Sequence, residues 1–182
     1  MYYTADYDSP LGQMILASNG KHLVGAWFTG QKYFGGNLNM EQTEKKDLPV
    51  FAKTIHWLDR YFAKEKPSIE ELELDPAGTP FQKQVWNLLC QIPYGSTITY
   101  SDLGKQMAVR MGKVHMSSQA IGNAVGHNPI SIIVPCHRVV GKDGSLTGYA
   151  GGIQRKISLL QIEGVDLSRL YVPESNQKAG DR

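Results

Sequence analysis

The fold of this 182-residue chain is decided around Ile132-Ile133-Val134-Pro135-Cys136-His137-Arg138-Val139-Val140. The β-branched run before the proline predicts a buried strand. Proline stops it, because it has no N–H to give to a ladder. A thiol would then stand at the end of a rigid element, beside an imidazole and a guanidinium. Taken alone, the tetrapeptide admits two readings: a reactive site, or a buried cysteine used as small apolar filler.

Working outward, the segment after this stretch, Val139 to Leu146, predicts a hairpin with Asp143-Gly144 near its turn. Gly148-Tyr149-Ala150-Gly151-Gly152 is a glycine-rich loop, a type that brings backbone N–H groups close to a ligand. A last helix follows, with Ile153, Ile157 and Leu160 on one face and its end at Glu163-Gly164. Residues after about 170 are polar and expected to fray.

The segment before the stretch predicts three helices. Thr79 as N-cap and Pro80 as N1 start the first, which carries Phe81, Val85, Leu88 and Leu89 on one face and ends before Pro93. Cys90 near its end is assigned to packing. Thr99-Tyr100-Ser101-Asp102 is a capping-box-like start for a second helix bearing Leu103, Met107 and Ala108. A basic turn with Arg110, Gly112, Lys113 and His115 leads to a third, capped by Ser117 and stopping at Gly126-His127-Asn128-Pro129. Two short helices joined by a tight basic turn read as a helix-turn-helix, and the hairpin beyond as its wing. The residues of the third helix are small and uncharged. They permit close approach to a narrow groove, or simply pack against a neighbour.

The first 75 residues predict a small α/β unit. Met14–Ala17 and Leu23–Phe28 flank Asn19-Gly20, a hairpin signal. Residues 30–47 are expected to be a mobile loop. Pro49 should open a helix with Phe51, Ile55, Leu58 and Phe62 on one face, and Ile69, Leu72 and Leu74 read as a further strand. Asp75-Pro76-Ala77-Gly78 is a linker. Trp27 and Trp57 are assigned to the core. Domains are therefore expected over 1–75 and 76–168, with a polar tail over 169–182.

Composition narrows the function classes. A hydrophobic share of 41% and a charged share of 20% are those of a globular protein. No apolar run is long enough to span a membrane, and the start lacks the pattern of a signal peptide. Two cysteines, Cys90 and Cys136, make neither a disulfide framework nor a metal knuckle, so a cytoplasmic setting is expected. The net charge of +2 hides an asymmetry. Residues 1–78 hold eight Lys/Arg against eleven Asp/Glu, while 79–165 hold eight against three. The basic segment is the one with Cys136, which suggests a polyanionic partner.

Taken together, residues 79–164 closely resemble the C-terminal domain of the O6-alkylguanine-DNA alkyltransferases, the methylated-DNA–protein-cysteine methyltransferases. The resemblance rests on Pro135-Cys136-His137-Arg138-Val139-Val140, Gly126-His127-Asn128-Pro129, and Thr79-Pro80-Phe81-Gln82 with Val85-Trp86. It extends to Pro93-Tyr94-Gly95, Thr99-Tyr100 and Gly148-Tyr149-Ala150-Gly151-Gly152 ahead of Glu163-Gly164. The first part resembles the family's ribonuclease-H-like domain in order and size. What this implies is an α/β (α+β) protein whose ribonuclease-H-like domain precedes a winged helix-turn-helix alkyltransferase domain.

The resemblance implies a single-turnover repair of duplex DNA carrying O6-alkylguanine, without metal or cofactor, by a monomer. The base is rotated out of the stack at a cost of a few kcal/mol, and Cys136 takes the alkyl group. A thiol with a pKa near ~8.5 is only a few per cent thiolate at neutral pH and needs a base. By resemblance that base is His137, acting through a water, with Glu163 orienting it. Tyr100 lies near the flipped nucleotide, and Asn128 ties the recognition helix to the cysteine loop. Tyr149, the backbone N–H of Ala150, the Val139 carbonyl and Trp86 line the guanine site. DNA contacts fall to Ser118, Gln119, Ala120, Asn123, Arg110 and Lys113. Arg138 is assigned first as a buttress and also placed among the DNA contacts. Gln119 stands where many members carry a finger arginine. The rival readings are a non-catalytic alkyltransferase-like damage sensor, a winged-helix regulator, a cysteine hydrolase and a zinc site.

Overall fold

The structure, a computed structural model, describes residues 1–174. They form two compact units, residues 1–78 with 129–133, and 79–128 with the chain from Val134 onward.

In the first unit, alternating and apolar runs give β1 (Tyr3–Ser9), β2 (Gly12–Ser18) and β3 (Leu23–Phe28), joined as antiparallel neighbours. The turn at Asn19-Gly20 is where the sequence predicts it. Asn19 Oδ1 accepts from the N–H groups of Lys21 and His22, and Gly20 takes a φ of +103° that suits glycine. The expected mobile loop over 30–47 contains more order than that. Met40–Gln42 make a 3-10 turn, and β4 (Glu44–Lys45) pairs parallel with β1, giving the sheet order β3-β2-β1-β4. β4 is a two-residue edge strand with both side chains exposed, too short and too polar to show as a pattern.

Pro49 opens α1 (Pro49–Phe62), as expected. Its buried face is Phe51, Thr54, Trp57, Leu58 and Tyr61, rather than the predicted Ile55 and Phe62. The reason lies in the aromatics. Trp57 and Tyr61 stack at 5.8 Å, and Tyr7 of β1 donates its hydroxyl to Asp59 Oδ1 at 2.8 Å, which together set the helix rotation. The strand expected over Ile69–Leu74 is instead a 3-10 turn, Ile69–Glu71, capped by Ser68, followed by a single bridge from Leu74 to Leu23.

The buried run before the cysteine is not a strand. Pro129–Ile133 belong to the first unit, where Ala26 donates to Pro129 O at 2.8 Å and Ser131 donates back to Ala26 O at 2.9 Å. The chain then turns, with Ile132 at φ +72°. A β-branched residue there is strained. Ile130, Ile132 and Ile133 are nonetheless all buried, so their apolarity records burial and not extension.

The second unit opens with α2 (Pro80–Leu89). Thr79 accepts from Gln82 N, and Gln82 Oε1 accepts from Thr79 N, a complete capping box. Such a cap contributes about 1 kcal/mol. β5 (Ile98–Thr99) precedes α3 (Tyr100–Arg110), capped by Thr99, and α4 (Ser118–Gly126) is capped by Ser117. α2, α3 and α4 pack on one another, and Val85, Leu88, Leu89, Leu103, Met107 and Ile121 on them are buried. The expected wing hairpin is absent. β6 (Val139–Val140) pairs parallel with β5, and Asp143-Gly144 forms a closed turn whose far side meets Tyr171 through one bridge. α5 (Ile153–Ile162) ends the unit. Tyr171 is thus held in place rather than frayed, and the remainder of the expected tail, past residue 174, lies outside the described residues. Among the described residues no helix is long and apolar enough to cross a membrane.

Candidate active site

Pro135 caps a short 3-10 turn, Cys136–Arg138, that presents three functional side chains in succession, all buried. α4 ends immediately before the segment that leads here. Its C-cap leaves Asn128 positioned to donate from Nδ2 to Val134 O at 2.8 Å, tying the helix to the cysteine turn as the sequence suggested. Asn128 also hydrogen-bonds Cys136. Burial pushes the Cys136 thiol up, and Asn128 and the charge of Lys156 pull it back down.

His137 is 0% exposed, and its Nε2 meets Glu163 Oε2 at 2.5 Å. Glu163, at the end of α5, accepts further bonds at Oε1, from Arg138 Nε at 2.7 Å and from Gly95 N at 3.0 Å. Burial works to raise its carboxyl pKa, yet the hydrogen bonds and charges of His137 and Arg138 together hold it down at about 2. An ionised carboxylate can only accept, so the proton of a neutral His137 sits on Nε2 and Nδ1 carries a lone pair. Nδ1 is buried and has no hydrogen-bond partner among the described residues. Burial lowers the pKa of the imidazole, Glu163 opposes this, and the charges of Arg138 and Lys156 assist it. The net direction favours a neutral ring with one open basic nitrogen.

Arg138 is a buttress. Its Nη1 donates to Ile92 O at 2.6 Å, Nη2 donates to Glu163 Oε2 at 3.2 Å, and its guanidinium lies 5.8 Å from the Tyr94 ring centroid. All three of its nitrogens are thus engaged inside the protein. The Trp86 ring is buried on α2, and its Nε1 donates to Ala124 O of α4 at 2.9 Å, which fastens helix to helix.

The remaining expected residues divide into two sets. Tyr100, at the start of α3, donates its hydroxyl to Thr147 O at 3.3 Å, and burial with the nearby Cys136 pushes its pKa up to about 12. Tyr149 is buried, its ring edge-on to His137 at 6.5 Å, with a hydroxyl that has no hydrogen-bond partner among the described residues. Ala150 is half-buried in the same loop, and Val139 is buried in β6. These gather around the cysteine turn. Ser118, Gln119 and Asn123 are exposed along α4, Ala120 is half-buried there, Arg110 is exposed at the end of α3, and Lys113 is exposed on the connection between the two helices. These form an outward face.

The part played by two residues escapes the sequence reading. Lys156, in α5, is 0% exposed, and its Nζ donates to Val139 O at 2.6 Å and to Thr147 O at 3.2 Å. Burial lowers its pKa to about 8, against the pull of Cys136. The signal was its spacing, since Ile153, Lys156 and Leu160 share one helical face. Gly95 is the second such residue. Its φ is +80°, and a Cβ there would lie 3.0 Å from Glu163 O, so glycine lets this backbone N–H reach the carboxylate.

Comparison with known proteins is consistent from residue 1 to residue 165. Residues 80–165 match the family model described as 6-O-methylguanine DNA methyltransferase, DNA binding domain. Residues 1–76 match that family's ribonuclease-like domain. A methylated-DNA–protein-cysteine methyltransferase of Haemophilus influenzae is 39% identical over 165 residues, covering 91% of this chain and 87% of that one. One from Methanosarcina barkeri is 43% identical, covering 90% and 97%. Among solved structures, Mycobacterium tuberculosis OGT in complex with DNA is 40% identical with a TM-score of 0.74, covering 93% and 94%.

Proposed function

Because this chain belongs to the 6-O-methylguanine DNA methyltransferase family, we propose that it repairs DNA directly, moving an alkyl group from guanine O6 to Cys136. The observation that carries this reading is a buried thiol beside a neutral imidazole whose Nδ1 is open and whose Nε2 is fixed by a carboxylate.

The geometry supports the following course for the reaction. His137 Nδ1 takes the Cys136 proton through a water. Glu163 then faces an imidazolium, whose charge it stabilises in a site closed to bulk solvent. The thiolate attacks the alkyl carbon, the S–C bond forms, and the C–O6 bond breaks with its electron pair left on the guanine. Protonation of that anion at N1 restores guanine. The Val139 carbonyl accepts from the exocyclic amine, the Ala150 N–H meets O6, and Tyr100 and Tyr149 wall the pocket. α4 supplies the DNA face, with Gln119 filling the gap left by the extruded base. The S-alkyl cysteine has no leaving group, so each chain acts once.

In this reading residues 76–168 carry the chemistry and the DNA, and 1–75 form the accompanying α/β domain. The working form is one chain on one lesion, in a reducing compartment such as the cytoplasm that keeps the thiol free. The test is an intact mass of freshly reduced protein after incubation with duplex DNA containing one O6-methylguanine. One methyl per chain, with guanine restored in the DNA, is the expected result. No mass change would refute the proposal.

A further inference from the structure

Residues 165–172, which follow α5, form a strap across the turn that leads into the glycine-rich loop. Val165, Leu167, Leu170 and Val172 pack on the buried cluster of Val140, Leu146 and Leu160. Backbone bonds then join strap and turn. Tyr171 N donates to Gly144 O at 3.1 Å, and Leu146 N donates to Tyr171 O at 2.8 Å. Gly144 has a φ of +89°, and a Cβ there would lie 2.2 Å from Arg169 O, so the turn is seated directly on the strap. At the outer end the Tyr171 hydroxyl donates to Asp143 Oδ2 at 2.5 Å, while Asp143 Oδ1 accepts from Ser145 N at 3.1 Å. The hydroxyl, and Ser145 after it, hold the Asp143 carboxyl down at about 2, so the bond is charge-assisted at neutral pH.

What the clasped turn carries is Thr147. Its carbonyl accepts from the Tyr100 hydroxyl at 3.3 Å and from Lys156 Nζ at 3.2 Å. Both donors lie within electrostatic reach of Cys136. Gly148 follows at φ +67°, where a Cβ would lie 3.6 Å from the Tyr100 hydroxyl oxygen. One carbonyl, a single residue beyond the buried Leu146, thus sets two groups beside the thiol. We propose that Tyr171 is a positioning residue for the transfer. Its clasp on Asp143 pins the turn, and through Thr147 O the turn keeps Tyr100 and Lys156 in place around Cys136. This rests on the alkyl-transfer reading above and adds to it a residue from outside the pocket. Tyr171 is 47% exposed, so its hydroxyl and backbone hold the turn, with little apolar burial by its ring.

The test pairs hydrogen–deuterium exchange of the full chain with single-turnover transfer at saturating O6-methylguanine duplex. Tyr171→Phe keeps the ring and both backbone bonds and removes only the clasp. It should speed amide exchange over residues 145–152, and slow transfer, by about fivefold each, the worth of one hydrogen bond. Gly144→Ala, which pushes the turn off the strap, should do both by about tenfold or more. Exchange in α2, α3 and α4, and anisotropy on an undamaged duplex, should stay at wild-type values. Asp143→Asn should slow transfer as much as Tyr171→Phe, and the two together no more than either alone, because they act through one bond. Exchange and transfer unchanged in both Tyr171→Phe and Gly144→Ala would overturn the proposal. So would faster exchange with an unchanged rate, additive losses in the double variant, or exchange that speeds up evenly along the chain, which makes the strap a matter of stability alone. Exchange reads the clasp without any transfer. A wild-type chain that moves no alkyl group therefore refutes the transferase reading, and the clasp is still decided by exchange over residues 145–152.

Discussion

Glu163→Gln is the perturbation that tests most of the account at once. The carboxylate has a fully buried side chain and accepts from His137, Arg138 and Gly95. Its pKa falls from 4.5 to about 2, which corresponds to about 3 kcal/mol of stability at neutral pH. Breaking a buried pair from one side costs about 3–5 kcal/mol, so two routes converge. The sign follows from the depressed carboxylate: the contribution is complete above pH ~4.5 and is lost as pH falls through about 2. At pH 7 the variant should therefore melt about 6–12 °C below the wild type, for a chain of this size. At pH 2 the gap should have closed by more than half. The rate has its own expectation. An amide can donate to Nε2, which moves the ring proton to Nδ1 and removes the base, so single-turnover transfer should slow by about 10²–10⁴. Melting and quenched-flow transfer at pH 7 measure both. A loss under ~1 kcal/mol together with a rate within about threefold of wild type would refute the reasoning.

Lys156→Met should slow transfer, because the Val139 and Thr147 carbonyls lose their donor and the Cys136 thiolate loses a nearby cation. In a Cys136→Ala background, wild-type Lys156 should gain stability relative to Met as pH rises from ~8 to ~10.5, the window between its folded pKa of about 8 and its unfolded value; a flat difference contradicts the buried charge. Gln119→Ala should weaken binding to the lesion-bearing duplex and slow repair, and unchanged values for both would remove Gln119 from the finger role. The S-methylated chain should melt below the free one, since an added methyl in the closed pocket around Cys136 costs about 1–3 kcal/mol; an equal melting temperature counts against it.

What the sequence made legible was whatever is encoded locally. Thr79, Thr99 and Ser117 announce their helices because each caps within three residues of itself, and all three caps form. Asn19-Gly20 announces its turn for the same reason. Elements defined by distant partners were not legible. β4 exists through its pairing with β1. The turn at Ile132 is held beside β3 and was mistaken for a strand, because β-branched burial looks the same in either conformation. The site divides in the same way. Cys136, His137 and Glu163 could be named from motifs, but their linkage through Arg138 and Gly95 spans residues far apart in sequence. Lys156 was passed over because lysine in a helix ordinarily faces water, and its two carbonyl partners come from other elements. The carbonyl that satisfies the Trp86 N–H, from Ala124, is likewise 38 residues away and invisible to a local pattern.

The chain has a built-in control in its second thiol. Cys90 is half-buried, and burial pushes its pKa up to about 11 against the pull of the Arg138 charge. The measurement that bears most directly on the account is therefore peptide fragmentation of the protein after reaction with excess O6-methylguanine duplex, locating the methyl and counting it. The account predicts one methyl per chain, on Cys136, with Cys90 unmodified. Methyl on Cys90, or more than one per chain, would contradict it.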